Sequence, residues 1–342
     1  MKKLFIAMGA IAAMACSCTK EEIKSEDMPM QEGQLHISLV NDAATRATGD
    51  SHNVLADDNN IKTLEVFIFR VNEGGADDGI IDAYKKFTGE EIKTMSSLTI
   101  KTVTGKKVVY VVANSHKSDW SDSMTRSSFE EQIACLQNED VKNFTMVAVK
   151  ELTVYLESTI TMTLSRMVSR IKLNSVNVSF AGTPYEGNAL QNVKAYLTNV
   201  QAHKLLFDGS GSNLKVLNSK KYVAEDMAGL AMQGMLYDEL AESMSGTTYS
   251  TPHYFYCYEN SLSEETETDR FTKLVIEGTL NGITYYYPVP IKDLKRNSCY
   301  SIDVKIFRPG SLDPEKAVEV GTLDLRLNIQ NWNTLPGSVV EF

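Results

Sequence analysis

The sequence predicts a mainly β protein made of two β-sandwich-like domains with a few short helices. Three observations predict it. Apolar and polar residues alternate in short stretches along most of the chain. Those stretches are rich in β-branched and aromatic residues, which suit a pleated, half-buried surface. The strand-rich body of about three hundred residues also falls into two halves, each large enough for a sandwich.

The elements follow in order. Lys2 and Lys3 precede an apolar and small run from Leu4 to Ala15. That run is too short to span a bilayer and reads as the core of a signal peptide over residues 1–17. It ends in Ala13-Met14-Ala15-Cys16-Ser17-Cys18, a lipobox pattern in which a cysteine thiol takes a diacylglyceryl group. Cys18 is the favoured lipidation site, because Thr19-Lys20-Glu21-Glu22 then forms a polar, acidic start. Cys16 is the alternative register, and an ordinary signal peptide with incidental cysteines is the plainer reading. Residues 19–33 are charged and without periodicity, as in a linker. In the first strand, Leu35, Ile37 and Leu39 alternate with polar neighbours. The small, polar stretch Asn41 to Asp50 then offers Arg46-Ala47 to trypsin-like proteases.

Ile61 to Arg70 alternates as a strand, and Leu98 to Val103 is another. Lys107 to Ala113 is a near-continuous apolar run, expected of a strand buried on both faces. Ser128-Phe129-Glu130-Glu131 matches a capping box and predicts a helix to about Gln137. Strands are expected over Thr153 to Leu164, Val168 to Phe180 and Val193 to Val200. Ala224 to Met244 is Met-, Ala- and Leu-rich and is read as helical, with Gly229 and Gly234 against it. Strands resume at His253 to Glu259, Phe271 to Leu280, Ile283 to Ile291 and Cys299 to Phe307, with an Asn281-Gly282 hairpin turn. The expected divisions are a signal peptide at 1–17, a propeptide at 18–46, and β domains at 47–166 and 167–342. Finally, Leu323, Leu325, Leu327 and Ile329 alternate with polar residues, followed by Trp332 and Val339-Val340-Glu341-Phe342. Such a strand needs a sheet to join, in its own domain or in a neighbour.

The chain carries a formal net charge of −10 and has no basic block, which argues against nucleic acid as a partner. His36, His52, His116, His203 and His253 follow no metal-ligand spacing, and no H-E-x-x-H, G-x-S-x-G or P-loop occurs. No catalytic residue, metal or cofactor is therefore expected. The oxygen-rich stretches Asp57 to Asn60 and Glu73 to Gly79 fit no EF-hand and read as solvated turns. Tyr254 to Tyr258 and Tyr285 to Tyr287 place neighbouring rings on opposite sheet faces, so packing explains them better than a sugar platform. Arg166 and Arg170 are expected to pair with carboxylates. Cys135, Cys257 and Cys299 lie far apart without C-x-x-C. A Cys257–Cys299 bridge and buried free thiols both remain open.

The chain resembles the Bacteroidia-type fimbrillins, the type V pilins, along essentially its whole length. The resemblance rests on Cys18 with its acidic follow-on, Thr45-Arg46-Ala47, Ile61 to Val66, Gly105 to Asn114 and Leu164 to Ile171. In the second half it rests on Tyr254 to Asn260, Leu294 to Tyr300 and Arg308 to Pro314. Each stretch is weak alone; their order and spacing together are specific. The resemblance implies transthyretin-like sandwich domains and no enzymatic activity. It implies export to the outer membrane as a lipoprotein precursor, then a cell-surface fimbrium serving adhesion and colonisation. An arginine-specific protease would cut between Arg46 and Ala47 and release the strand carrying Leu35, Ile37 and Leu39. A neighbour's C-terminal strand, with Leu323, Leu325, Leu327, Ile329, Trp332, Val339 and Phe342 as contacts, would fill the groove. The implied partners are other fimbrial subunits, as a homopolymer, the outer membrane through the lipid, the protease and a host receptor. The patterned C-terminus favours a stalk subunit; a tip or accessory adhesin binding host glycan or protein is the rival. A surface glycan-binding or hydrolytic lipoprotein is a third reading.

Overall fold

The computed structural model describes residues 30–41, 60–93, 97–207, 215–318, 323–331 and 339–341. The first half holds β1 (Glu32–Asn41), β2 (Thr63–Arg70), β3 (Ile81–Thr88), β4 (Leu98–Val103), β5 (Gly105–Ala113), β6 (Ile133–Cys135), β7 (Met146–Val154) and β8 (Glu157–Arg166). Helices α1 (Glu90–Lys93) and α2 (Arg126–Glu130) lie among them. The chain passes through Met167 into β9 (Val168–Val178), β10 (Leu190–Thr198), β11 (Val200–Gln201), β12 (His203–Leu205) and β13 (Val216–Leu217). After α3 (Ala224–Met227) come β14 (Tyr237–Met244), β15 (Thr247–Tyr249), β16 (His253–Tyr258), β17 (Thr272–Leu280) and β18 (Ile283–Ile291). β19 (Ser298–Ile306), β20 (Leu323–Asn331) and β21 (Val339–Glu341) complete the described elements.

The first seven-stranded sheet runs β3-β2-β5-β7-β8-β1-β4. β7 meets β8 at only two residue pairs, Met146 with Arg166 and Val147 with Ser165. There the sheet turns a corner, so that β8, β1 and β4 fold over β2 and β5. Leu35, Ile37, Leu98, Ile100, Ile160 and Met162 from one layer meet Leu64, Val66, Val109 and Val111 from the other in a single core. The opposite face of β2 and β5 is buried as well. Phe67 packs on Phe129 at 4.3 Å, and Tyr110 on Phe207 of the second half at 4.6 Å. This explains why the Val108 to Ala113 run is apolar throughout: every side chain in it is at most 1% exposed.

The second half is also a sandwich. The sheet β14-β10-β17-β18 faces the sheet that contains β16, β9, β19 and β20. Leu197, Leu274 and Ile276 meet Ile171, Leu173, Ile302 and Val304 between them. Asn281 and Gly282 take φ of 52° and 80° at the β17–β18 turn, the left-handed pair such a hairpin requires. The two halves share a core and one short ladder, β6 with β12.

Three elements differ from the sequence expectation. The helix expected from Ser128 starts one turn earlier. Its cap is Thr125, whose hydroxyl accepts the Ser128 N–H at 3.3 Å while the Ser128 hydroxyl accepts the Thr125 N–H at 3.2 Å. It ends at Glu130, because Ile133–Cys135 is drawn into pairing with His203–Leu205. The helix expected over Ala224 to Met244 shrinks to α3, and Tyr237–Met244 pairs with β10 as a strand. Gly234, at φ 73°, breaks any continuous helix there. The strand expected from Thr153 to Leu164 is split by a turn at Tyr155 and Leu156 into β7 and β8.

Candidate functional site

β1 lies between two partners. It runs antiparallel to β4 from Glu32↔Val103 to Ile37↔Leu98, and parallel to β8 from Gln34↔Glu157 to Asn41↔Leu164. Its alternation is what lets it sit there. Leu35 and Ile37 are 0% exposed and Leu39 is 3% exposed, all pointing into the core, whereas His36, Ser38 and Val40 are half-buried on the other side. Further bonds fix the entry: Gln34 N–H donates to Leu156 O at 2.9 Å, and Thr104 N–H to Gln31 O at 2.9 Å. Each buried Leu or Ile contributes roughly 1.5–3 kcal/mol. Withdrawing β1 would uncover an apolar trough and leave two strand edges unpaired.

A buried charge cluster stands across the ends of this sheet. Asp82 on β3 accepts hydrogen bonds from the Thr102 hydroxyl at 2.5 Å and the Val103 N–H at 3.1 Å, both on β4. It also pairs with Lys107 at 3.2 Å and Arg70 at 3.1 Å. Burial pushes the Asp82 carboxyl up, but the bonds from Thr102 and Val103 and the nearby Lys107 and Arg70 outweigh it and hold it below the usual carboxylate range. Among the described strands β1 is the sheet neighbour of β4, so Asp82 is its second attachment to the domain.

The C-terminal strand pairs within its own domain. β20 runs antiparallel to β19 from Ser298↔Asn331 to Ile306↔Leu323, and β21 pairs outside it from Arg326↔Glu341 to Asn328↔Val339. Leu325 is half-buried and packs against the core, Leu327 is 4% exposed and Ile329 is 37% exposed. Leu323 and Val339 are placed as backbone only. Cys16, Cys18, Arg46, Ala47, Trp332 and Phe342 lie outside the described residues.

The joint between the halves is polar at its centre. Glu139 accepts hydrogen bonds from the Tyr258 hydroxyl at 2.9 Å and the Thr145 N–H at 2.9 Å. Burial pushes its carboxyl up, and those two bonds offset only part of the shift. Phe144 packs on Tyr256 at 4.9 Å, and the Ser169 hydroxyl donates to Lys295 O at 2.6 Å. Arg166 donates to the Asn297 side chain at 3.1 Å, and Arg170 lies 5.5 Å from the centre of the Tyr254 ring. Cys135, Cys257 and Cys299 are free thiols, so no Cys257–Cys299 bridge forms. Asp77 and Asp78 bond Asn72, which ties the Glu73 to Gly79 turn to itself.

Sequence reasoning missed Asp82, Glu139 and Gly33. Lys107 carried a signal for the first. A lysine at the head of a run buried on both faces demands a carboxylate, as Glu65 within Leu64 to Phe69 demands Lys86, 3.0 Å away. Gly33 is packed under the Tyr155–Leu156 turn, which no local pattern announces.

Residues 34–201 match the family described as major fimbrial subunit protein (FimA). The chain is similar to major fimbrium subunit FimC of Porphyromonas gingivalis, 24% identical over 324 residues; the match covers 90% of this chain and 65% of that relative's length. Its fold is similar to the crystal structure of a fimbrilin (FimA) from Porphyromonas gingivalis W83, with a TM-score of 0.62 and 19% identity over 87% of this chain and 97% of that one. It is also similar to that of the tip fimbrial protein Mfa3 from Porphyromonas gingivalis, with a TM-score of 0.55 and 13% identity over 88% of this chain and 100% of that one. Over residues 34–201 the chain is thus similar to the major fimbrial subunit (FimA) family, and over 90% of its length to a fimbrial subunit of Porphyromonas gingivalis.

Proposed function

We propose that the chain is a subunit of a cell-surface fimbrium, built for adhesion rather than catalysis, that assembles by exchanging β1 for the C-terminal strand of another subunit. The precursor is exported as a lipoprotein on Cys18 and cut between Arg46 and Ala47. One observation carries the reading: β1 sits between β4 and β8 with Leu35, Ile37 and Leu39 as its anchors. While tethered, β1 holds the slot through its high effective concentration. Once cut, it can leave, and an incoming strand gains the same ladder and the same apolar burial. The proposed partners are further copies of this chain, an arginine-specific protease and a host receptor, with the outer membrane as the site before processing.

Brief trypsin treatment tests this, read by intact mass and by gel without boiling. The expected result is a mass loss ending at Arg46 and a ladder of multimers. Absence of preferred cleavage there would sink the strand-exchange reading. A second reading, a tip or accessory adhesin, is favoured by the pairing of β20 along the length of β19 in its own domain. Clean cleavage without a ladder would select it.

A further inference from the structure

Gly33 sits where β1 admits no side chain. A Cβ placed on it would lie 2.7 Å from the Tyr155 carbonyl oxygen and 3.3 Å from that of Leu156. Both obstacles are backbone, and the second accepts the Gln34 N–H, so neither yields as a side-chain tip would. Two, four and six residues further on, Leu35, Ile37 and Leu39 fill the core. The slot therefore demands glycine followed by apolar residues at the second, fourth and sixth places after it.

Resting on the strand-exchange reading above, we propose that the slot takes residues 321–327 of a second copy of this chain. Gly321 replaces Gly33, and Leu323, Leu325 and Leu327 replace Leu35, Ile37 and Leu39. From residue 311 onward the sequence has glycine only at 321 and 337. Seating Gly337 at the Gly33 place puts Glu341 where Ile37 is fully buried, an unpaired carboxylate in an apolar core. Sliding the strand by two residues keeps the apolar face inward but brings Leu323 or Glu319 against the two carbonyls. Reversing the strand fails as well: Gly321 would be followed inward by Glu319, Ala317 and Glu315, and Gly337 by Leu335, Asn333 and Asn331. One register in one orientation satisfies both the steric gate and the core, and it swaps leucine for leucine or isoleucine at each buried place. Residues 323–327 of the donated segment belong to β20, which must peel from β19; among the described residues its outer side holds the three residue pairs of β21.

Cysteine cross-linking reads the register. His36 Nδ1 lies 3.0 Å from Thr99 Oγ1, so a residue in the His36 place faces Thr99. In this register that residue is Asp324. The full chain, purified in detergent, is made with Thr99→Cys paired with Thr322→Cys, Asp324→Cys or Arg326→Cys, then trimmed with trypsin and mildly oxidised. Cross-linked multimers at least tenfold more abundant for Thr99→Cys with Asp324→Cys are expected. A ladder whose cross-link falls on the 322 or 326 variant overturns the register and leaves strand exchange standing. No ladder from the unsubstituted chain overturns strand exchange and the register with it. Gly321→Val is expected to fold and be cleaved yet to lengthen at least tenfold more slowly; elongation within twofold of the unsubstituted chain overturns the glycine gate.

Discussion

The Thr102 hydroxyl on β4 donates a 2.5 Å hydrogen bond to Asp82 on β3, and so joins the two ends of the N-terminal sheet order. β4 has β1 for its strand neighbour, so this bond and that from Val103 tie it to β3 when β1 is out of place, alongside the core packing of Leu98 and Ile100.

Asp82→Asn is expected to destabilise the uncut chain by about 3–5 kcal/mol, because it leaves Lys107, 2% exposed, as an uncompensated buried cation. Urea unfolding at neutral pH measures this. The carboxyl titrates lower in the folded chain than in the unfolded one. Its stabilisation is therefore complete above the ordinary carboxylate range and fades as pH falls through the depressed folded value. The variant should lack that acid limb; equal losses for both proteins on acidification would contradict the assignment.

Ile37→Ala is expected to cost the uncut chain about 2–5 kcal/mol through the cavity it opens in the first core. Under the proposed strand exchange the substituted strand is discarded after cleavage, which leaves an identical body in the two proteins. Elongation rates measured from the trimmed subunit should then agree. A persistent defect in the trimmed variant would mean that β1 does not leave.

Tyr258→Phe removes the hydroxyl that bonds Glu139 and should cost about 1–3 kcal/mol, since a buried acceptor loses a partner. Glu139→Gln tests its titration. The folded carboxyl binds its proton more tightly than the unfolded one, whose value is 4.5. Its contribution is complete below that value and is lost as pH rises through the folded value. The stability of the unsubstituted chain relative to the Gln variant should accordingly fall as pH rises above the ordinary carboxylate range, read as urea midpoints. Parallel curves would show that Glu139 does not titrate differently on folding.

Of the thiols in the described residues, Cys135 is partly exposed while Cys257 and Cys299 are buried. Burial also pushes the Cys257 thiol well above its ordinary value. In the folded chain, a thiol reagent should label Cys135 first and the other two only on unfolding. Fast labelling of Cys257 would contradict the packing of β16 against β9.

Where β pattern and burial coincide, the sequence was legible. Leu35, Ile37 and Leu39 read as one inward face and form one. Lys107 to Ala113 reads as a two-faced strand because cores lie on both sides of it. Asn281-Gly282 reads as a hairpin turn because the left-handed pair of residues is a local requirement. The helix expected to run on to Gln137 failed because long-range pairing with His203–Leu205 outcompeted a weak local preference.

By itself the sequence determined the β class, the inward face of β1 and the matching alternation near the C-terminus, since period-two patterning is written residue by residue. Only the tertiary structure decided that β1 lies between β4 and β8, that Asp82 closes the sheet end to end, and that Gly33 passes beneath two carbonyls. Each of these depends on which distant strands become neighbours, and that is set by burying both faces of β2 and β5 at once, a condition no single stretch of chain contains.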